Sequence, residues 1–141
     1  MVFMKGRITK RNAVVLTVFL FMAILCVSGC GRYRSRYKAV GLVTTASTMN
    51  GFINFYSFDG TRVFKLSNKK GTEGQLIYSA RLEEGSAAVF YDIGGEKAEL
   101  FTIHGGEETD DVFTLPGSGT VYVIIETEGK CQNGEFRFEI R

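Results

Sequence analysis

The apolar positions along most of the chain recur with a period of two. The clearest case is the final segment, 135–141, where Phe136, Phe138 and Ile140 alternate with charged side chains. Successive side chains of a β-strand point to opposite faces, so this alternation predicts a strand with one buried face. No stretch after the first thirty residues shows the three-to-four-residue period of an amphipathic helix. The sequence therefore predicts an all-β fold.

Turn-forming residues divide the alternating segments. They are Asp59-Gly60, Gly94-Gly95, Gly105-Gly106, Asn133-Gly134 and Pro116-Gly117-Ser118-Gly119. Glycine and asparagine tolerate the positive φ of tight turns. The intervening segments predict strands at 38–44, 50–57, 61–67, 74–83, 86–93, 97–103, 111–115, 119–128 and 135–141. Eight or nine short strands are typical of an antiparallel β-sandwich or jelly roll. In this fold Val123 and Phe138 are expected to face the core, and Arg137 the solvent.

The N-terminus has the features of an export signal. Lys5, Arg7, Lys10 and Arg11 form a basic region, followed by an uncharged apolar run at 13–27. This run is shorter than the roughly 20 residues that span a bilayer. Val27-Ser28-Gly29-Cys30 resembles the bacterial lipobox. We therefore expect a signal-peptide helix at 1–29, cleavage between Gly29 and Cys30, and lipid attachment to Cys30. An uncleaved membrane anchor is the alternative.

Charge divides the rest of the chain into two parts. Arg32, Arg34, Arg36 and Lys38 form a basic cluster, whereas nine Lys and Arg face fifteen Asp and Glu from Ala39 onward, a net charge of −6. Each basic residue beside an anionic membrane contributes about 1 kcal/mol of attraction. We therefore predict a lipidated basic tether at 30–38 and a sandwich domain at 39–141; a purely solubilising tether is the alternative. The acidic domain disfavours nucleic-acid binding.

The same cluster alternates with aromatic residues. In an extended tether Tyr33 and Tyr37 would share the edge opposite the charges, and tyrosine favours the headgroup region of a bilayer. Both rings are therefore expected to contact lipid.

Several short segments resemble small lipoproteins of clostridial-type Gram-positive bacteria. The resemblance rests on 55–61, Lys70-Gly71, 82–86, 119–123 and 134–138, and covers about residues 50–141. The closing strands also resemble the pre-peptidase C-terminal type of β-sandwich. The resemblance implies a sandwich fold at the cell surface, on the extracytoplasmic face of the membrane. It transfers no activity and no residue role.

Residues that often carry chemistry are sparse in the domain. His104 is the single histidine and is expected at a strand end, without the partners that a hydrolase needs. Glu107, Glu108, Asp110 and Asp111 are expected in a solvated acidic loop, because their spacing does not match a calcium-binding loop. Cys131 is expected in a loop as an inert, half-buried thiol, and a reactive exposed thiol is the alternative. We assign no catalytic residue, metal ligand or cofactor.

Aromatic residues give the candidate ligand surface. Phe52, Tyr56 and Phe58 share one side of a predicted strand, opposite Phe55, and such rings can line a sugar-binding face. Packing in the core is the alternative for these rings. The leading hypothesis is a non-enzymatic, lipid-anchored binding or envelope-associated module whose partners are the membrane and an envelope protein or glycan. The alternative is an accessory enzyme that processes carbohydrate or peptide with clustered carboxylates.

Overall fold

The computed structural model describes residues 33–141. The predicted signal peptide 1–29, Cys30 and Arg32 lie outside this range. The compact unit Tyr33–Arg141 consists of nine antiparallel strands and one short 3₁₀ turn, Gly71–Glu73. The strands are β1 (Arg36–Val40), β2 (Val43–Ala46), β3 (Asn50–Asn68), β4 (Gln75–Glu84), β5 (Ser86–Ile93), β6 (Glu96–His104), β7 (Glu107–Thr114), β8 (Gly119–Thr127) and β9 (Cys131–Ile140). The predicted all-β antiparallel sandwich is confirmed. No helix in the described range is long and apolar enough to cross a membrane.

The strands form one folded sheet that makes two layers. Their order is β6-β5-β8-β3-β9-β4-β7, and β1 and β2 pair with the free edge of β3. Sheet I contains β6, β5, β8 and residues 61–68 of β3. Sheet II contains β7, β4, β9, β2 and residues 50–58 of β3. The 19-residue strand β3 thus belongs to both layers.

The layers separate at a fork in β3. Ser57 and Phe58 each pair with β1 and with β9, while Thr61 pairs with β1 and with β8. β1 therefore lies along one edge of β3, and β9 and β8 share the opposite edge. β8 and β9 continue from the same edge of β3 into two sheets that stack on each other. The two halves of β3 must therefore bury opposite faces. Accordingly, Ile53 and Phe55 are buried in the first half of β3, and Phe64 and Leu66 in the second.

The space between the layers is a close-packed apolar core. Sheet II contributes Leu76, Tyr78, Ala80, Leu82, Phe136, Phe138 and Ile140, and sheet I contributes Ala87, Val89, Ile103, Val121, Val123 and Ile125. The predicted inward positions of Val123 and Phe138 are confirmed, since both are nearly inaccessible to solvent. Two aromatic pairs close the side between the edge strands: Tyr78 stacks on Phe101 at 4.8 Å, and Tyr91 contacts Phe113 at 4.7 Å.

Two predicted turns lie inside strands. Asp59-Gly60 does not separate two strands, because β3 continues through it. Gly60 has a φ of +137°, and a Cβ there would lie 2.2 Å from the carbonyl oxygen of Arg36, so glycine lets β1 approach closely. Asn133-Gly134 lies within β9, where Gly134 leaves room for the Phe55 ring. Both glycines serve close packing between strands.

The N-terminal boundary of the sandwich lies earlier than residue 39. β1 begins at Arg36, inside the predicted tether, and continues to Val40; a break at Gly41, with a φ of +61°, then separates it from β2. Tyr37 lies against Phe58, with ring centroids 4.9 Å apart. Tyr33 also packs on the domain. Both rings therefore pack on the sandwich, and their expected contact with lipid stays a prediction.

Candidate functional site

An open groove runs across the outer face of sheet II. It has a volume of about 730 Å³. One row of paired residues crosses all five strands of the sheet: Thr45, Phe52, Arg137, Ser79 and Asp110, on β2, β3, β9, β4 and β7. Since neighbouring strands lie about 4.8 Å apart, this row spans about 19 Å. The groove therefore presents an extended surface built from strands, which hold side chains rigidly.

Phe52 and Arg137 form the centre of the groove. They are directly opposite each other on β3 and β9, and the Arg137 guanidinium carbon lies 4.4 Å from the centroid of the Phe52 ring. This stacking holds a flat apolar ring beside a planar array of N–H donors. The pair offers both an apolar and a polar contact to one ligand.

Glu135 fixes the position of Arg137. Its carboxylate accepts hydrogen bonds from Arg137 Nε at 3.0 Å, Asn54 Nδ2 at 3.0 Å and Arg81 Nη2 at 3.4 Å. The bond from Arg137 lowers the pKa of Glu135 below its usual range, with further help from Asn54 and Arg81 against the opposing effect of burial. A general acid needs a raised pKa to hold its proton near neutral pH. Glu135 is therefore suited to orienting an arginine and unsuited to donating a proton.

The β7 side of the groove is acidic. Asp110 lines it opposite Ser79, and Glu108 is opposite Arg81 in a smaller adjoining depression of about 380 Å³. The prediction that 107–111 is a loop is wrong, because this segment is the first half of edge strand β7. Its charges do not prevent strand formation, since nearly all of its side chains are exposed and its backbone pairs with β4. Charges on an edge strand also discourage pairing with other chains.

The three aromatic residues that were predicted to form the ligand surface lie in different environments. Phe52 is half-buried in the groove. Tyr56 lies on the same outer face, four residues or about 13 Å farther along β3, and is 59% exposed. Phe58 does not belong to the ligand surface: it is fully buried, with Tyr37 and Phe55 against its ring. The fork reverses the buried face of β3 just before Phe58, so simple alternation assigns this residue to the wrong side.

Other singled-out residues lie away from the groove. His104 ends β6, as predicted, and is exposed; its Nδ1 lies 2.9 Å from Ser86 Oγ, and its backbone N–H donates to Glu107. The prediction that Cys131 lies in a loop is wrong, because β9 begins at this residue; its side chain is fully buried, and burial raises the pKa of the thiol. In residues 33–141, no three His, Cys, Asp or Glu side chains are placed to hold a metal ion.

The sequence pointed to Arg137 only as a solvent-facing residue and to Asp110 only as part of an acidic loop, and Glu135, which orders Arg137, was not singled out. The alternation of 135–141 does place Arg137 and Glu135 outward. Their partners are remote along the chain, however: 81 residues separate Asn54 from Glu135. Only strand pairing brings this set together.

The basic residues expected near the membrane are exposed. Arg34 precedes β1, and Arg36 and Lys38 alternate on β1 with the inward-facing Tyr37 and Ala39. Gly29, Cys30 and Arg32 lie outside the described residues. The positions of Arg36 and Lys38 are set by the pairing of β1 with β3, so they belong to the sandwich.

Comparisons with known proteins give structural likenesses only. No protein-family model matches the chain, and no curated protein matches it. Similar solved structures include TmCBM61 in complex with beta-1,4-galactotriose, at 15% identity and a TM-score of 0.49, covering 76% of this chain and 87% of that one. Another is a mutant of CBM29-2, a family 29 carbohydrate-binding module, complexed with mannohexaose, at 16% identity and a TM-score of 0.39, covering 77% and 92%.

Proposed function

We propose that this protein is a binding module that holds an extended glycan in the groove of sheet II, and that a lipid on Cys30 displays it at the outer surface of a membrane. The observation that carries the glycan assignment is the Phe52–Arg137 pair in an open groove. A sugar ring presents C–H groups on one face and hydroxyl groups at its rim. The Phe52 ring matches the C–H face, and the guanidinium, Ser79 and Asp110 match the hydroxyls.

The groove suits a chain better than a single small molecule. It is open along its length and crosses five strands, so a linear oligomer can enter from the side and leave at both ends. Its polar side chains stand on paired strands, and Glu135 already orders Arg137. Binding therefore loses little side-chain entropy, which favours affinity.

Titration calorimetry tests the glycan assignment. The full-length chain, in a detergent without a sugar headgroup, is titrated with neutral oligosaccharides of glucose, mannose and galactose. We expect Phe52→Ala to weaken binding by about 2 kcal/mol, roughly 30-fold. Phe90→Ala is the matched control, because the Phe90 ring lies on the outer face of sheet I under Lys97 Nζ at 4.3 Å.

A second matched pair uses the arginines. Arg137→Ala should also weaken binding, whereas Arg141→Ala should not, although Arg141 is bound to Glu139 two residues earlier just as Arg137 is bound to Glu135. Failure of every oligosaccharide to bind, or equal losses at Phe52 and Phe90, would contradict the glycan assignment.

The lipid anchor rests on Val27-Ser28-Gly29-Cys30 and on the basic and apolar regions before it. Cys30→Ala should abolish incorporation of a labelled fatty acid and leave the precursor uncleaved. Cys26→Ala is the matched control and should be labelled and processed normally, because Cys26 is removed with the signal peptide. Undiminished labelling of Cys30→Ala would rule out this attachment site.

A further inference from the structure

The N-terminal segment is fastened to the outer face of sheet I. The Tyr33 hydroxyl donates a hydrogen bond of 2.5 Å to Asp92, which is only 5% exposed, and the Tyr33 ring meets Tyr122 edge-on at 5.5 Å. Ser35 Oγ accepts a hydrogen bond from the backbone N–H of Val63 at 2.9 Å. The chain therefore joins the sandwich at Tyr33, and the point of attachment is opposite the groove face.

Little chain separates this attachment point from the lipid. Tyr33 is three residues after Cys30, and three fully extended residues reach about 11 Å at most. A domain attached to a bilayer by so short a connection cannot turn its far side toward the lipid. This step depends on the lipid anchor that is part of the proposed function.

The charge distribution favours the same orientation. Arg34, Arg36 and Lys38 are exposed beside sheet I, and Lys65 is exposed on the outer face of that sheet. The largest acidic group, Glu107, Glu108, Asp110 and Asp111, lies on β7 at the far edge of sheet II. The first side also carries Asp59, opposite Lys38, and Glu126, which is paired with Lys97 at 2.6 Å. An anionic membrane attracts the exposed basic residues of this side and repels the acidic β7 edge, although the domain as a whole is negative.

We infer that the exposed basic residues around the Tyr33 attachment on sheet I, Arg34, Arg36, Lys38 and Lys65, form a membrane-contacting surface for anionic lipid, so that the groove of sheet II faces away from the bilayer. The hydrogen bond from Tyr33 to Asp92 fixes this orientation. The glycan groove is then open to long polymers outside the membrane, and the module does not depend on a flexible linker to present it.

Fluorescence quenching tests the orientation. The lipidated protein is reconstituted into vesicles of phosphatidylcholine and phosphatidylglycerol that carry a quencher on some headgroups. One fluorophore is attached at Lys65→Cys, on sheet I, or at Thr45→Cys, on sheet II; both positions are exposed. The lipid occupies Cys30 and Cys131 is fully buried, so the introduced thiol reacts alone. We expect the fluorophore at 65 to lose most of its emission and the fluorophore at 45 to lose little.

Two further measurements separate the contribution of the basic residues from that of the Tyr33–Asp92 hydrogen bond. Replacing Arg34, Arg36 and Lys38 with Ser, or raising the salt concentration, should restore much of the emission at position 65, since screening weakens the attraction to anionic lipid. Tyr33→Phe retains the ring but loses the bond to Asp92, and should reduce the difference between the two positions. Equal quenching at both positions, or stronger quenching at 45, would overturn the inference.

Failure of the orientation is distinguishable from failure of the proposed function. Mass spectrometry of the reconstituted protein shows whether Cys30 carries lipid. An unlipidated protein would overturn both the anchor and this inference. Oligosaccharide binding is measured separately in detergent, where orientation has no effect. Intact glycan binding with equal quenching would therefore refute the orientation alone.

Discussion

The two outer faces of the sandwich carry the same small motif in different surroundings. On sheet II the Arg137 guanidinium lies 4.4 Å from the Phe52 ring, and on sheet I Lys97 Nζ lies 4.3 Å from the Phe90 ring. Each cation is also held by a glutamate, at 3.0 Å for Arg137 and 2.6 Å for Lys97. Such ring–cation pairs contribute about 0.5–1 kcal/mol at exposed sites. Neither the motif nor its energy distinguishes the two faces.

The surroundings do distinguish them. On sheet I the neighbouring outward residues Asp92, Tyr122 and Ile124 are almost completely buried, and Tyr33 provides part of their cover. On sheet II the corresponding area is an open groove. In both pairs the ring is half-buried and the cation is exposed, so the difference lies in the neighbouring surface, which is buried on sheet I and open to a ligand on sheet II. The comparison shows that accessibility, more than residue type, defines a candidate site.

The largest expected loss of stability comes from truncating a core residue, compared with a residue on an outer face. Phe138→Ala removes a ring that is 2% exposed between the sheets, and truncation of a buried Phe costs about 3–5 kcal/mol. Arg137→Ala, the adjacent outward residue, should change the stability little. Thermal unfolding should show a loss of about 15 °C or more for Phe138→Ala. Equal melting temperatures for the two variants would mean that the register of β9 is wrong.

An intermediate loss of stability is expected on the outer face of sheet I, which Tyr33 partly covers. Tyr33→Phe leaves buried Asp92 with only the Gly95 backbone N–H as its remaining hydrogen-bond donor among the described residues. An unsatisfied buried acceptor costs about 1–3 kcal/mol, which denaturant unfolding can measure. The control is Tyr56→Phe on the open face, where the side chain is 59% exposed and no loss is expected. Equal losses would remove the distinction between covered and open faces.

The same hydrogen bond predicts a dependence on alkaline pH. Burial, followed by the hydrogen bond to Asp92 and its charge, raises the pKa of Tyr33 from 10.0 to about 12. The folded state then keeps this proton over a range in which the unfolded state loses it. The contribution of the Tyr33 hydroxyl to the free energy of unfolding is therefore complete below pH 10 and is lost as the pH rises toward 12. Tyr33→Phe should reduce the decline of stability in this range.

The smallest effect is expected on the open face. Glu135→Gln removes the charge that orders Arg137. Because this ion pair is near the surface, the variant should lose less than about 1 kcal/mol of stability. Its glycan affinity should fall by less than about fivefold. Glu139→Gln is the control, since Glu139 pairs with Arg141 two residues later, just as Glu135 pairs with Arg137, but it is Arg137 that lies over the Phe52 ring. The lowered pKa of Glu135 means that its contribution is present above its unfolded pKa of 4.5 and disappears as the pH falls through the folded value. A loss as large as that of Tyr33→Phe would contradict the comparison.

Alternation predicted most of the strands because each has one buried face. The segment 135–141 is the best example, with Phe136, Phe138 and Ile140 all buried. The same rule failed at Phe58, since β3 changes sheets there and its buried face reverses. It also missed the first half of β7, residues 107–110, where most side chains are exposed and no apolar pattern marks the strand; only 111–115 was predicted.

The candidate site was less predictable than the fold. Phe52 is identifiable from its own strand, but Arg137 and Glu135 become its neighbours only through the pairing of β3 with β9. The attachment of Tyr33 to Asp92 likewise joins residues 59 positions apart. The composition of 30–38 resembles a flexible tether, and the contacts that order its second half come from distant strands.

The central place of β9 in sheet II has a consequence for the order of folding. β9 is the last of the described strands in sequence order, and it lies between β3 and β4, which do not otherwise pair with each other. Neither strand can complete its backbone hydrogen bonds until Cys131–Ile140 has been synthesised, so the slow non-local pairings come last. Arg137 and Glu135 arrive on that same strand. A chain interrupted before β9 would therefore lack both a closed core and the proposed glycan site, and any chain able to bind has already formed this sandwich.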